Sequence, residues 1–270
     1  MTEKLPVVLV FAGSDPTGGA GIAADVLTLA SMGCHAAVVV TAVTAQDTAG
    51  IKTFTPMDTA LVIEQARVVL EDMPVKAFKT GMLGTVANVT AVASIVKDYP
   101  DVPLVVDPVQ TSGRGDALAE EPLDDALRTL LLPRATLITP NSTEARALAP
   151  EADSLDACAQ ELMALGCQYV LITGTHEPTP HVMHRLYGNR RRLEDYTFER
   201  LPGEFHGSGC TLAAACAATL AHGLEMPSAV DEALQYAWES LKFAQQLGMG
   251  QAIPDRLYWA RQGDNHDDDA

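Results

Sequence analysis

The chain has 270 residues, 47% of them hydrophobic, with no long polar linker, which suits one large α/β domain. A net charge of −17 argues against nucleic-acid backbones and anionic membranes as main partners. No apolar run approaches a membrane span, and Met1 to Pro6 leads straight into a strand-like segment instead of a signal peptide's apolar region, so a cytoplasmic protein is expected.

Val7 to Ala12 is a continuous β-branched and apolar run, the pattern of a strand buried on both faces of a parallel sheet. It ends in Gly13-Ser14-Asp15-Pro16-Thr17-Gly18-Gly19-Ala20-Gly21, and a helical pattern follows from Ile22 to Met32. The glycine spacing is not that of a dinucleotide loop. Asp25 is a charge inside this apolar helical stretch, and read alone it belongs on a solvated helix face.

A second strand, Ala36 to Ala42, runs into Val43-Thr44-Ala45-Gln46-Asp47-Thr48. Apolar residues at helical spacing from Leu61 to Leu70 predict a helix; Val75 to Gly84 reads as a strand breaking into a loop, and a helix is expected over 86–97. Val102 to Val109 is a strand whose carboxyl end holds Asp107, the kind of end that lines the ligand crevice of open α/β sheets. The pattern repeats with Ala135 to Glu144, a helix over 154–166 and a strand from Tyr169 to Thr173. This alternation implies a mainly parallel sheet with helices on both faces. Gly188-Asn189 between two polar strands marks a hairpin at the sheet edge, where solvation accounts for Arg190, Arg191 and Arg192. Helices at about 207–223 and 228–247 close the domain, and residues 263–270, with four aspartates in the run from Gly263, read as a disordered acidic tail.

The stretch Phe205-His206-Gly207-Ser208-Gly209-Cys210-Thr211 turns directly into an Ala-rich helix. The unpaired N–H groups and positive dipole of such a helix start suit a phosphate, which a local nest of N–H groups can hold even in an acidic protein. Cys210 falls on that first turn, where a thiol's pKa tends to drop. The five cysteines, at 34, 158, 167, 210 and 216, include no C-x-x-C pair and point to reduced thiols.

Six blocks taken together resemble the hydroxymethylpyrimidine and phosphomethylpyrimidine kinases of the ribokinase-like superfamily. They are Ala12 to Asp25, Thr41 to Thr48, Lys79-Thr80-Gly81-Met82-Leu83, Val106-Asp107-Pro108-Val109, Thr139 to Ala145, and His206 to Leu212, in family order over nearly the whole chain. The resemblance implies a three-layer αβα sandwich over residues 1–262, ATP and Mg²⁺ as cofactors, a homodimer, and phosphorylation of the hydroxymethyl group of an aminopyrimidine in thiamine biosynthesis. It places Gly207, Ser208, Gly209 and Cys210 at an anion hole over the transferring phosphate, with Cys210 as either a proton acceptor or an N–H donor. Asp107 and Glu144 are implied as Mg²⁺ ligands, and Asn141, Glu144, Thr173 and Ser208 as ATP contacts. Helix capping is the plain alternative for these acids. Gly13, Asp25, Thr44, Gln46, Met82 and Val109 are implied around the pyrimidine, Gln46 offering a donor beside an acceptor to the amino group and ring nitrogen.

The sequence departs from the family pattern in three places. Thr173-Gly174-Thr175-His176 lacks the lysine usual after that strand, so Arg114 or Lys79 is expected to restore the missing charge. Gln110 to Asp116 replaces a lysine-bearing block, and Thr44 and Asp47 replace a commonly apolar residue and an asparagine. The alternatives are a pyridoxal or pyridoxine kinase of the same family and a catalytically weak ligand-binding regulatory homologue.

Overall fold

The computed structural model describes residues 4–109 and 121–261. Strand β1 (Val7–Ser14) sits at the centre of the first half and alternates its side chains between two cores. Leu9 and Phe11 face one side; Val8, Val10 and Ala12 face the other, and all are buried. A strand that is apolar in both registers has to be covered by helices on both faces, and this one is.

Helix α1 (Gly21–Ser31) leads to β2 (His35–Asp47) and β3 (Gly50–Pro56), then α2 (Thr59–Asp72), β4 (Val75–Thr80) and α3 (Val86–Lys97). The second half continues with β5 (Leu104–Val106), α4 (Glu121–Ala126), β6 (Leu137–Ile138), α5 (Ser142–Leu148), α6 (Leu155–Ala164) and β7 (Tyr169–Ile172). The antiparallel strands β8 (His181–Gly188) and β9 (Arg191–Glu199) are followed by α7 (Ser208–Ala221), α8 (Met226–Lys242) and α9 (Tyr258–Arg261). Among the described residues, nine strands form one sheet in the order β3-β2-β1-β4-β5-β6-β7-β8-β9. Pairings from β2 through β7 are parallel, and those of β2 with β3, β7 with β8 and β8 with β9 are antiparallel. This is the expected three-layer α/β sandwich.

Several expectations need correction. Strand β2 runs five residues past Ala42 because β3 pairs with its extension, so both sheet edges are antiparallel instead of one. The edge hairpin turns at Asn189-Arg190, both at positive φ (51° and 57°), one residue beyond the expected Gly188-Asn189. Helix α8 stops at Lys242, five residues early, and the chain then opens into a loop. A helical segment over 121–134, with a π-helical turn at Leu127–Leu131 and a 3₁₀ turn at Leu132–Arg134, was not visible in the sequence pattern. Arg114 and the acidic tail lie outside the described residues.

Helix α7 is why the turn at Gly207 can sit so deep. Its residues from Ala213 to Ala218 are all fully buried, and these small side chains let the helix pack against α1, α8, β4 and β5. The helix therefore begins over the carboxyl ends of the central strands.

Candidate active site

The turn entering α7 depends on one close approach. Gly207 has φ of 76°, and a Cβ there would overlap the carbonyl of Gly19, so the loop after β1 and the start of α7 touch backbone to backbone. Two side chains hold this contact. Asp15 accepts from Thr17 N and Oγ1 and from Ala20 N, each at 2.8 Å, and from His206 Nε2 at 2.9 Å. Burial would raise the Asp15 pKa, but the bonds from His206 and Thr17 outweigh it and keep the carboxyl below its ordinary value. From the other side the buried Arg256 donates to Thr211 Oγ1 (3.0 Å), Gly18 O (3.4 Å) and Gly19 O (2.6 Å). Sequence reasoning missed Asp15, His206 and Arg256 as a group. Only the place of His206 before Gly207 offered a signal, and Arg256 offered none.

Beneath the turn is a charged cluster. Asp25 is fully buried, which overturns its reading as a solvated helix residue; its carboxylate lies 3.0 Å from Lys79 Nζ, itself fully buried. Asp107 approaches the same ammonium at 3.6 Å, and its Oδ2 makes no hydrogen bond. One ammonium shared by two carboxylates leaves a net negative charge away from water, so burial pushes Asp25 up to about 6 against the pull of Lys79. Burial opposes the charge on Lys79 as well, yet Asp25, with Cys210 and Asp107, holds its pKa above the usual lysine range. Lys79 is thus committed below the turn, where it neutralises carboxylates.

Cys210 borders this cluster. The helix-start argument predicted a lowered thiol pKa, but the reverse holds: burial first, then Asp107, push it up to about 12, outweighing Lys79 and the Gly21 backbone. The sulfur's surroundings are dense and net negative even though part of the residue's surface is open. At neutral pH Cys210 is a thiol. Gly209 is solvent-exposed, and a Cβ there would stand 3.8 Å from Asp107 Oδ1, so the turn opens to solvent directly beside that carboxylate.

The remaining expected residues fall at the carboxyl ends of the strands. A Cβ on Gly13 would lie 3.4 Å from Met82 Sδ, which places those two together. Thr44 Oγ1 donates to Ser14 O at 2.9 Å, tying β2 to the loop after β1; Gln46, two residues on, is partly exposed and pairs in register with Ile51. Val109 shares a small cleft with Gly81, Asp107 and Leu127. Asn141 and Thr173 are bridged across adjacent strand ends, and Ser142 N donates to Thr173 O at 3.1 Å. Asn141 and Glu144 form a capping box on α5: Asn141 Oδ1 accepts from Thr143 N and Glu144 N, and Glu144 Oε2 accepts from Asn141 N, each at 2.9 Å. The capping alternative is therefore realised.

No group of three or more His, Cys, Asp or Glu positioned for a metal occurs among the described residues. A Mg²⁺ that keeps its waters and shares its shell with phosphates needs only one or two carboxylates. Asp107 Oδ1, the oxygen that stands beside the open turn while the buried Oδ2 faces Lys79, fits that requirement. Among the described residues, no helix is long and apolar enough to cross a membrane.

Residues 15–255 match the family described as phosphomethylpyrimidine kinase. The chain is 44% identical to a hydroxymethylpyrimidine/phosphomethylpyrimidine kinase of Mycobacterium tuberculosis over 94% of both chains. Among solved structures it is similar to phosphomethylpyrimidine kinase from Clostridium difficile (31% identity, TM-score 0.76, covering 88% of this chain and 100% of that one). It is also similar to pyridoxal kinase from Staphylococcus aureus in complex with AMP-PCP and pyridoxal (28% identity, TM-score 0.86, 96% of each chain). The chain belongs to the phosphomethylpyrimidine kinase family.

Proposed function

We propose that the chain is an ATP- and Mg²⁺-dependent cytoplasmic kinase, acting as a homodimer. Its reaction is phosphorylation of the hydroxymethyl group of 4-amino-5-hydroxymethyl-2-methylpyrimidine and then of the resulting monophosphate. The observation that supports this most is the open α7 turn beside Asp107. It combines unpaired N–H groups, a positive helix end and a carboxylate oxygen, Asp107 Oδ1, beside the opening, in a family of pyrimidine kinases.

In this reading the substrate oxygen attacks the γ-phosphorus in line, the bond from that phosphorus to the ADP oxygen breaks, and the hydroxyl proton passes to solvent as the new P–O bond forms. A loose transition state of this kind demands positioning and charge stabilisation more than a strong base. The N–H groups of Ser208, Gly209 and Cys210 receive the transferring phosphoryl oxygens. Asp107, with Glu144, would hold Mg²⁺, which when bound neutralises phosphate charge. Asn141 and Thr173 face the nucleotide from the β6 and β7 ends. Gln46, Thr44, Gly13, Met82 and Val109 line the acceptor side, Gln46 pairing with the amino-pyrimidine edge. Asp25 lies beneath the turn, where it pairs with Lys79 at 3.0 Å.

The rival reading, pyridoxal phosphorylation, is favoured by the likeness to the Staphylococcus aureus enzyme over the whole domain. Phosphorus NMR of the products decides the class of reaction. The proposal expects ADP and a new phosphomonoester from the aminopyrimidine, lost in Asp107→Ala. Binding of both ligands without turnover in the unmutated protein would instead identify a regulatory homologue.

A further inference from the structure

Past the end of α8 the chain forms a braced loop. Gln245 and Ile253 exchange backbone hydrogen bonds of 2.9 Å at its base, and inside it Gln246 Nε2 donates to the carbonyls of Gly248 (2.8 Å) and Gly250 (2.6 Å). The tip of the loop seats on Thr48, in the turn between β2 and β3. Gly250 N–H donates to Thr48 Oγ1 at 3.0 Å and Gln251 N–H to Thr48 O at 2.8 Å. The fit is backbone-close: a Cβ on Gly248 or Gly250 would overlap Thr48. The returning limb is bonded to the segment that delivers the phosphate turn, Ala252 N to Glu204 O and His206 N to Ala252 O, both at 2.9 Å. His206 in turn pairs with Asp15. The loop over 245–253 therefore links two places distant in the sheet, the outer end of β2 and the approach to Gly207.

Among the described residues, the antiparallel ribbon end 44–52 has few other restraints. Thr44 bonds to Ser14, Ala49 and Gly50 N–H groups bond to Asp47, and Lys52 pairs with Asp47 at 3.6 Å on the surface. These fix the turn internally, but beyond Thr44 none of them ties the ribbon to the rest of the molecule. We propose that Thr48, clasped by this loop, is a positioning residue that sets Gln46 at a fixed distance from the α7 turn and so contributes to recognition of the aminopyrimidine. The inference rests on the reading of Gln46 given above. Thr48 touches no substrate; it acts through Gln46 two residues away.

The test is a double-mutant cycle with steady-state kinetics on the full chain, using the aminopyrimidine and, separately, ATP as varied substrate. Thr48→Val removes the Oγ acceptor at nearly constant volume, and Thr48→Ser keeps it. Thr48→Val is expected to raise KM for the aminopyrimidine about five-fold, the effect of one lost hydrogen bond, with KM for ATP unchanged. Thr48→Ser is expected to restore it, and Thr48→Val is expected to add nothing when Gln46 is already alanine. Full additivity of the two substitutions, or an equal rise in both KM values, would overturn the positioning role. No effect of Gln46→Ala on the aminopyrimidine KM would overturn the reading of Gln46 itself, a separate outcome.

Discussion

Lys79 and Asp25 meet at 3.0 Å with neither side chain reachable by solvent, and Asp107 stands 3.6 Å from the same ammonium. Breaking a buried pair from one side leaves an uncompensated charge in a place that cannot rehydrate it. Lys79→Met is therefore expected to lower the unfolding free energy by about 3–5 kcal/mol, measured by urea denaturation. Adding Asp25→Asn to that variant should recover part of the loss, because one of the two orphaned carboxylates is then gone.

The same pair sets a pH dependence. With its folded pKa at about 6 against an ordinary 3.8, Asp25 binds its proton more tightly in the folded state. Its contribution to stability is complete below pH about 4 and is lost as pH rises through about 6. The unmutated protein should thus lose stability relative to Asp25→Asn between those values. A difference that stays level across pH 4 to 6 would show that Asp25 titrates normally.

Two glycines of the α7 turn should behave in opposite ways. Gly207→Ala adds a left-handed φ penalty of about 1–2 kcal/mol to an overlap with Gly19 O, and a marked fall in melting temperature is expected. Gly209→Ala has room, its nearest neighbour being Asp107 Oδ1 at 3.8 Å, so the melting temperature should hold. Its methyl group would, however, enter the space assigned to the phosphoryl group, and kcat should fall about ten- to hundred-fold.

For Cys210, a pKa pushed up to about 12 means a neutral thiol throughout the working range. Loss of a general base costs about 10² to 10⁴ in rate. Cys210→Ala, which keeps the backbone N–H, is expected to cost less than about ten-fold in kcat. Its pH–rate profile between pH 6 and 9 should match that of the unmutated protein. A loss of a thousand-fold would restore the thiolate as proton acceptor.

The apolar runs of β1, β4 and β7 and the periodic helix over 86–97 were legible because strand and helix patterns there are local. Strand β3 was not, since its residues are mostly exposed and it becomes a strand only by pairing with the β2 extension. The glycine turns also announced themselves, being needed wherever backbones touch. What could not be read were partnerships set by the fold. Asp25 looks like a surface charge until Lys79, 54 residues later, is brought beneath it. Arg256 has no local signature at all, yet it grips Gly19 from 237 residues away. The lowered thiol pKa expected from a helix start failed for the same reason: nearby burial and Asp107 outweigh the dipole.

In the proposed reaction the acceptor is an aminopyrimidine held by Gln46 in front of the α7 turn. The direct measurement is kcat/KM for 4-amino-5-hydroxymethyl-2-methylpyrimidine and for pyridoxine, side by side, at fixed ATP and Mg²⁺. The account predicts a clear preference for the aminopyrimidine that shrinks in Gln46→Ala. A higher kcat/KM for pyridoxine in the unmutated protein would contradict it.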